Sequence, residues 1–289
     1  MDIQNIRAFL AVSETASFSR AAERLHLTQP AISKRIQAME QFLDIKLFDR
    51  IGKSVQLTEA GQALIPGYRR ILDELEESER IISNLRQTTR GHLRFATSHH
   101  IGLHRLPAVL RRFSRQYPEV DLELQFMDSE QACRQVLHGE IELGIVTLPS
   151  QPDARLMLQT IWHDPMHCVV AADHPLASKE KVSRKQLLQQ PSILPSAGTY
   201  TRALINHALQ LDEHTNILME TNYLETIKAM VETGLGWGVI PDSMLDASLK
   251  IITVKTGKMQ RELGVVFHKS RTRSSPANAL LEILNSNNA

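Results

Sequence analysis

The stretch "LTQPAISKRIQAME", residues 27–40, decides how the N-terminal part of the chain folds. Thr28 stands where a helix N-cap belongs, and Pro30 falls in the first turn, where its missing N–H removes no hydrogen bond. Ile32, Ile36 and Met39 recur at helical spacing and predict a buried stripe. The remaining positions are small, amide or basic. The stretch therefore predicts a helix that presents a polar N-terminal end to a partner.

The residues on either side complete a small domain. Upstream, the spacing predicts a first helix with Ile3, Ile6, Phe9, Leu10 and Val12 on its buried face, and a second that carries Ala21, Ala22 and Leu25 and is capped by Ser17 or Ser19. Downstream, "KLFDRIGKSVQLT" changes to short β-like runs around Gly52, typical of a hairpin or wing that carries Lys46, Arg50 and Lys53. Two helices at a tight turn plus a basic wing predict a winged helix-turn-helix over residues 1–58.

Residues 59–89 are predicted to form one long linker helix. Seven mostly apolar positions recur at alternating spacings of four and three residues, which is a heptad seam: Leu64, Tyr68, Ile71, Leu75, Ser78, Ile82 and Leu85. One interpretation is an amphipathic helix that lies on its own domain. The length of the pattern favours the other, a helix that pairs with a second subunit and makes a homodimer.

Composition narrows the classes of protein. The 289 residues carry a net charge of only +1, so any nucleic-acid surface must come from local arrangement. Cys133 and Cys168 are far apart and fit neither a disulfide framework nor a paired metal knuckle, which is typical of reduced thiols. The sequence shows no signal peptide and no apolar run of membrane-spanning length. We therefore expect a cytoplasmic protein with no membrane partner.

Residues 90–289 alternate β-rich and helical segments, the pattern of a parallel α/β fold. The spacer around Pro149, Pro152 and Asp153 separates two series of similar size. This favours two lobes over one long sheet. We expect lobe I to comprise about residues 90–161 and 267–289, and lobe II about 162–266.

The whole chain resembles the LysR-type transcriptional regulators. The specific part is "FLAVSETASFSRAAERLHLTQPAISKRIQAMEQFLDIKLFDRIGKSVQLTEAG", residues 9–61, with "HPLA" (174–177) and "TGLGWGVIP" (233–241) as landmarks farther on. The resemblance implies a winged helix-turn-helix, a dimerising linker helix and a two-lobed effector domain built like a type II periplasmic binding protein. It also implies a homotetramer that binds an interrupted inverted repeat near promoters, and contact with RNA polymerase if the protein activates.

The helix at residues 29–40 suits a recognition helix, which enters the major groove by its N-terminal end. Gln29, Ser33 and Lys34 offer short hydrogen-bonding or basic side chains, and Pro30 offers an apolar edge to a thymine methyl. Arg50 and Lys53 on the wing would hold the phosphate backbone. The resemblance adds further DNA contacts and gives the set Thr28, Gln29, Pro30, Ser33 and Arg35.

The effector site is expected in the crevice beyond the carboxyl ends of the strands. Three segments place hydroxyl or amide side chains before a helix: "TSHH" (97–100), "PSAGTY" (195–200) and "TNYLET" (221–226). Such helix starts suit a small carboxylate or other anion, although these side chains could equally serve only as N-caps. The candidate pocket is Thr97, Ser98, His99, Ser129, Thr147, Ser196, Gly198, Thr199 and Asn222.

No metal site, cofactor or enzymatic activity is predicted. Of His99, His100 and His104, only the last two share a helical face, and no cysteine or acidic ligand lies next to them. The sequence offers no phosphate loop or nucleophile elbow. Two alternatives to an effector-responsive regulator stay open: an architectural protein that binds DNA without an effector, and an enzyme with a DNA-binding appendage.

Overall fold

The computed structural model describes residues 2–51, 54–85, 89–212, 215–254, 257 and 259–286. The chain divides into two compact units, Met1–Ile82 and Ser83–Ala289. Within the described residues, no helix has the length and apolar character needed to cross a membrane.

The N-terminal unit begins with three helices: α1 Ile3–Thr15, α2 Phe18–Arg24 and α3 Gln29–Leu43. Ser17 is the residue that caps α2, since its Oγ accepts a hydrogen bond from the Arg20 amide at 3.3 Å. The chain then turns through His26, whose φ is +52°, and enters α3 at Thr28. The helix-turn-helix predicted from the sequence is confirmed.

Apolar side chains from all three helices form the core of this unit. Ile32, Ile36 and Met39 are at most 2% exposed, so the buried stripe of α3 is confirmed. The predicted face of α1 is buried too, except for Ile3, which is 38% exposed. Placing Ile3 in the core was wrong, because the apolar spacing runs on to the first helical residue while the packed core starts one turn later.

A two-stranded hairpin follows, as the sequence predicted. Its strands are β1 Phe48–Ile51 and β2 Ser54–Leu57, antiparallel, with Phe48 opposite Leu57. The Phe48 ring packs 5.4 Å from the ring of Phe9 and 5.9 Å from that of Phe18. The wing is therefore fixed to the same core as the helices.

The long helix α4 runs from Glu59 to Leu85. At Gly61 a Cβ would stand 2.4 Å from the carbonyl oxygen of Leu47, so only glycine lets the helix start this close to the wing. Tyr68 is buried against Phe9, with ring centroids 5.5 Å apart. Ile71, by contrast, is 44% exposed. The first two residues of the predicted seam, Leu64 and Tyr68, thus pack on the N-terminal unit. The side chains of its last two residues, Ile82 and Leu85, lie outside the described residues.

The C-terminal unit contains nine strands and seven helices within its described residues. The strands are β3 Gly91–Thr97, β4 Val120–Phe126, β5 Leu143–Thr147, β6 Leu156–Ala171, β7 Ser192–Leu194, β8 Ile217–Glu220, β9 Trp237–Pro241, β10 Leu249–Ile251 and β11 Gln260–His268. The helices are α5 His99–His104, α6 Leu106–Gln116, α7 Ser129–His138, α8 Arg184–Leu188, α9 Tyr200–Leu209, α10 Leu224–Glu232 and α11 Ser275–Ser286.

The strands form two lobes that share the long strand β6. In lobe I, β4, β3 and β5 are parallel, and β11 lies antiparallel between β5 and β6. In lobe II, β9, β7 and β8 are parallel, and β6 runs antiparallel to β9. The two-lobed α/β fold is therefore confirmed, with mixed sheets in place of purely parallel ones.

The chain returns from lobe II to lobe I at an earlier residue than the sequence predicted. β11 pairs with β5 from Leu263 to Phe267, and Leu263 and Val265 belong to the core of lobe I. Assigning residues up to 266 to lobe II was wrong. The apolar pattern identifies a buried strand but does not indicate which sheet will take it up.

Candidate functional site

The N-terminal end of α3 presents the predicted DNA contacts to solvent. Thr28, Gln29, Pro30 and Lys34 are exposed, and Ser33 and Arg35 are partly exposed. Thr28 occupies the N-cap position without a side-chain hydrogen bond to the helix. Its hydroxyl is therefore not used to cap α3.

Two of these side chains are already positioned by neighbours. Gln29 Nε2 donates to Ser33 Oγ at 2.9 Å, one helical turn away. Arg35 Nη1 donates to Gln4 Oε1 on α1 at 3.4 Å, a long hydrogen bond between exposed groups. The structure does not describe the two wing residues predicted to contact DNA: residue Lys53 and the side chain of Arg50 lie outside the described residues.

Glu40 at the other end of α3 fixes the helix to the wing. One carboxylate oxygen accepts from the amides of Leu47 at 2.9 Å and Phe48 at 3.4 Å, and the other pairs with Lys46 Nζ at 2.9 Å. Burial raises the pKa of Glu40, but the hydrogen bonds from Lys46 and the two amides hold its net pKa below the usual range. Glu40 is thus a charged link between the reading helix and the hairpin, which the sequence analysis missed.

A cavity of about 500 Å³ lies between the two lobes of the C-terminal unit. Most of its lining comes from the carboxyl ends of β3, β4 and β5 in lobe I and of β7 and β8 in lobe II, and from the segments that follow them. This is the carboxyl-end crevice that open α/β sheets use for ligands. The volume suits a small organic molecule.

The cavity brings together six of the nine residues predicted for the effector: Ser98, His99, Ser129, Thr147, Thr199 and Asn222. Thr97, Ser196 and Gly198 are not in its lining. The Thr97 side chain is fully buried and donates to the carbonyl of Ile145 at 2.8 Å. Gly198 supplies a turn with φ of +87° before α9. The three predicted residues outside the lining thus include a buried residue at the end of β3, Thr97, and a turn glycine, Gly198.

Some of the six have structural roles as well. Thr199 Oγ1 accepts from the Arg202 amide at 3.2 Å and donates to the Ser196 carbonyl at 2.9 Å, so it is a true N-cap of α9. Ser129 Oγ accepts from the Thr147 amide at 3.1 Å. Ser98 stands at the N-cap of α5 without a side-chain hydrogen bond to that helix. Among these, Ser98 has the hydroxyl least committed to capping.

The lining also contains side chains that sequence reasoning missed. They are His100, Gln125, Phe126, Met127, Asp128, Glu130, Gln131, Gln135, Pro195, Thr201, Tyr223, Leu224 and Arg261. Asp128 and Glu130 flank the predicted Ser129 at the start of α7. Arg261 had no comparable signal, because it lies in β11, more than 100 residues after those two carboxylates.

Hydrogen bonds at the starts of α7 and α9 join the lobes across the cavity. The Glu130 carboxylate of lobe I accepts from the backbone amide of Tyr200, the first residue of α9 in lobe II. Asn222 Nδ2 of lobe II donates to Asp128 Oδ2 of lobe I at 2.9 Å, and Asn222 Oδ1 accepts from the Ser196 amide at 3.0 Å. A carboxylate of the protein therefore already occupies the helix N-terminus at which the sequence analysis placed an anion.

A buried charge network lies at the lobe junction. Asp164 on β6 is 1% exposed. Its carboxylate accepts hydrogen bonds from Nε of Arg261 at 3.0 Å and from Nη2 of Arg261. It accepts a third from Nη2 of Arg105 at 3.4 Å. Burial lowers the pKa of Arg261, and the neighbouring Asp164 charge acts in the opposite direction. Arg261 Nη1 reaches Thr201 Oγ1 at 3.5 Å, which connects the network to the cavity.

Both cysteines are free and buried. Burial raises the pKa of Cys133 to about 11 and that of Cys168 to about 12, so both are protonated thiols at neutral pH.

The three histidines that precede α6 do have an acidic neighbour. Glu225 on α10 of lobe II lies 3.3 Å from His100 Nδ1 and 2.9 Å from His104 Nε2, and its other oxygen is 3.5 Å from His99 Nδ1. The prediction that no acidic ligand lies beside them was wrong, because Glu225 is more than 120 residues away in the sequence.

A winged helix-turn-helix joined to a two-lobed α/β domain with an interlobe cavity defines a ligand-responsive DNA-binding protein. Residues 3–62 match the family model described as bacterial regulatory helix-turn-helix protein, lysR family, and residues 86–289 match the LysR substrate binding domain. The chain belongs to the LysR family of transcriptional regulators. It is a DNA-binding regulator with an effector-binding domain and not an enzyme.

Known relatives agree over nearly the full length. A probable RuBisCO transcriptional regulator from Trieres chinensis is 30% identical over 285 residues, covering 94% of this chain and 92% of that protein. Full-length OxyR from Pseudomonas aeruginosa, a single-site variant, has a TM-score of 0.71 at 23% identity, covering 99% of this chain and 98% of its own. Full-length CbnR complexed with its target DNA has a TM-score of 0.66 at 21% identity and full coverage of both chains. The two structures show a common fold.

Proposed function

We propose that this regulator reads an interrupted inverted repeat at promoters through α3 and adjusts its action when a small anionic effector enters the interlobe cavity. The observation that carries the proposal is a cavity of about 500 Å³ that hydrogen bonds between the lobes bridge. An effector that binds one lobe arrangement better than the other shifts the population of that arrangement. The angle between lobes or subunits, and so the fit of paired recognition helices, would change with it.

We assign a different role to each of three consecutive parts of the chain. Residues 1–58 bind DNA, residues 59–89 link and dimerise, and residues 90–289 bind the effector. The confinement of the helix and wing core to the first unit supports the first assignment. The exposed Ile71 and Ile81 on α4 support the second, since apolar side chains left in solvent on a long helix suit a partner helix.

For DNA, we assign base contacts to Thr28, Gln29, Pro30, Ser33, Lys34 and Arg35, and backbone contacts to Arg50 and Lys53. Support comes from the exposure of the first turns of α3 and from the Gln29–Ser33 hydrogen bond, which orients an amide at the helix end. Bidentate amide or guanidinium contacts discriminate base pairs in the major groove. CbnR, whose fold is similar, has been observed with its target DNA.

For the effector, we assign the cavity-facing residues Ser98, His99, Ser129, Thr147, Thr199 and Asn222. The start of α9 supports an anionic ligand, because a carboxylate, that of Glu130, is the acceptor found there. An effector carboxylate that took over this amide would release Glu130 and one link between the lobes. Ligand binding would then be coupled directly to lobe movement.

The assembly we propose is a homodimer through α4, and a homotetramer by resemblance to the family. If the protein activates, RNA polymerase is a further partner. Such a regulator works in the cytoplasm, where promoters are transcribed.

The alternative is an architectural protein that binds DNA without an effector. The two differ in sequence preference, so purified full-length protein is used to select binders from a random DNA pool at two salt concentrations. An enriched interrupted palindrome supports the regulator. Binding that enriches no sequence and only fades as salt rises supports the architectural protein.

A further inference from the structure

We infer that His100, His104 and Glu225 form a binding site for a divalent transition metal that joins the two lobes. His100 and His104 lie one turn apart on α5 of lobe I, with ring centroids 4.7 Å apart. Glu225 comes from the first turn of α10 in lobe II. One ligand atom from each of the three residues lies within 4.8 Å of the others. This inference does not depend on which molecule is the effector.

The two nitrogen–oxygen spacings in the cluster suit a tetrahedral ion. With metal–ligand bonds of about 2.0–2.1 Å, neighbouring ligand atoms of a tetrahedron are about 3.3 Å apart. Glu225 Oε1 lies 3.3 Å from His100 Nδ1 and 2.9 Å from His104 Nε2, so both nitrogen–oxygen edges are near that value. Two histidines at i and i+4 with one carboxylate also form a donor set that zinc uses in proteins.

The cluster contains buried polar atoms that lack hydrogen bonds within the described residues. They include Oε2 of Glu225, Nε2 of His100 and Nδ1 of His99. His100 itself is only 4% exposed. Unpartnered polar atoms inside a protein are costly and call for an explanation such as an ion or a bound water. His99 Nδ1, 3.5 Å from Glu225 Oε2, marks the side from which a fourth ligand would come.

Two cavities give access to the cluster. His99 and His100 line the effector cavity, and His104 and Glu225 line a second cavity of about 440 Å³ that Lys228 also borders. Lys228 is paired with Asp246 and lies 3.7 Å from Glu232. A metal held by α5 and α10 would fix the closed arrangement of the lobes beside the effector.

Imidazole donors favour borderline ions such as Zn²⁺ over Mg²⁺ or Ca²⁺, so Zn²⁺ is the probe. Full-length protein with its purification tag removed is stripped with a chelator, and its Zn²⁺ affinity and stoichiometry are measured at pH 7.5 by competition with a chromophoric chelator. We compare wild type with His104→Gln and Glu225→Gln. His163→Gln is the matched control, because His163 pairs with Glu262 at 2.8 Å but is not part of the three-ligand cluster.

We expect one Zn²⁺ per chain in wild type and in His163→Gln, and affinity about 100-fold weaker or worse in the other two variants. His104 is exposed, so its substitution should leave the fold intact, which circular dichroism checks. Affinity should also fall as the pH drops below the ordinary imidazole pKa. The proposal is contradicted if wild type binds no Zn²⁺ at micromolar concentration or if His104→Gln binds it as tightly as wild type. The histidines and Glu225 would then be connected by hydrogen bonds alone.

Discussion

The two ends of the molecule use polar side chains in opposite ways. On α3 of the N-terminal unit, the polar residues proposed to contact DNA lie at the surface above an apolar core, and each makes few contacts within the protein. In the C-terminal unit, polar residues such as Asp164 and Arg261 are buried and link segments about 100 residues apart. A substitution on the exposed face of α3 should therefore affect the contacts of that residue alone. A substitution among the buried polar residues of the C-terminal unit should disturb several connected contacts at once.

The largest expected difference between the two regions comes from Asp164→Asn. The substitution leaves Arg261 and Arg105 without their buried carboxylate, and breaking such a pair costs about 3–5 kcal/mol. Denaturant unfolding of full-length protein should show this loss in the C-terminal transition. Asp153→Asn, which removes an exposed partner of Arg155 bonded at 2.8 and 3.0 Å, serves as control and should leave the transition unmoved. If the two variants lose the same free energy of unfolding, the burial of Asp164 does not make its ion pairs more important to stability than the exposed pair of Asp153.

Arg35→Ala should weaken specific DNA binding without a comparable loss of stability. Removing a base or phosphate contact costs about 1–3 kcal/mol, or roughly 5- to 150-fold in affinity. The measurement is fluorescence anisotropy on the selected DNA site, with Gln41→Ala at the exposed far end of α3 as control. Unchanged affinity in Arg35→Ala would remove Arg35 from the contact set and leave it as the partner of Gln4.

Glu130→Gln tests the link across the cleft. The α9 amide at Tyr200 would lose a charged acceptor, which should destabilise the C-terminal unit by about 1–2 kcal/mol. Glu119→Gln, at an exposed position of the same lobe, should have no such effect. If both variants unfold alike, the Glu130 carboxylate does not hold the lobes together.

Glu40→Gln should cost the N-terminal unit about 1 kcal/mol, because a neutral amide replaces the charge between α3 and the wing. Since the pKa of Glu40 is depressed in the folded protein, its contribution is present above the ordinary value of 4.5 and is lost as the pH falls through the lower folded value. Unfolding curves of wild type and variant should therefore converge on acidification. A difference that persists well below pH 4 would mean that the charge is not responsible.

These contrasts also explain what the sequence could predict. The buried stripe Ile32, Ile36 and Met39 and the N-cap position Thr28 lie within 12 residues, so helical periodicity was enough to find α3 and its exposed face. The start of α7 was found in the same way. Glu225 beside His104 and Arg261 beside Asp164 could not be found, because each pair is brought together by sheet and lobe topology across about 100 residues. Thr97 and Gly198, which lie outside the cavity lining, show that residue type alone does not reveal whether a residue faces the cavity.

The most direct test of the account is ligand binding in the interlobe cavity. A panel of small mono- and dicarboxylates and other anions is screened by thermal unfolding on full-length wild type, Ser98→Ala and the exposed control Ser114→Ala. A ligand at 100 times its dissociation constant stabilises by about 2.7 kcal/mol, and loss of one hydrogen bond should roughly halve that effect. We expect at least one ligand whose stabilisation of the protein is smaller in Ser98→Ala than in wild type and unchanged in Ser114→Ala. A panel with no stabilising anion, or ligands that stabilise all three proteins equally, would contradict it.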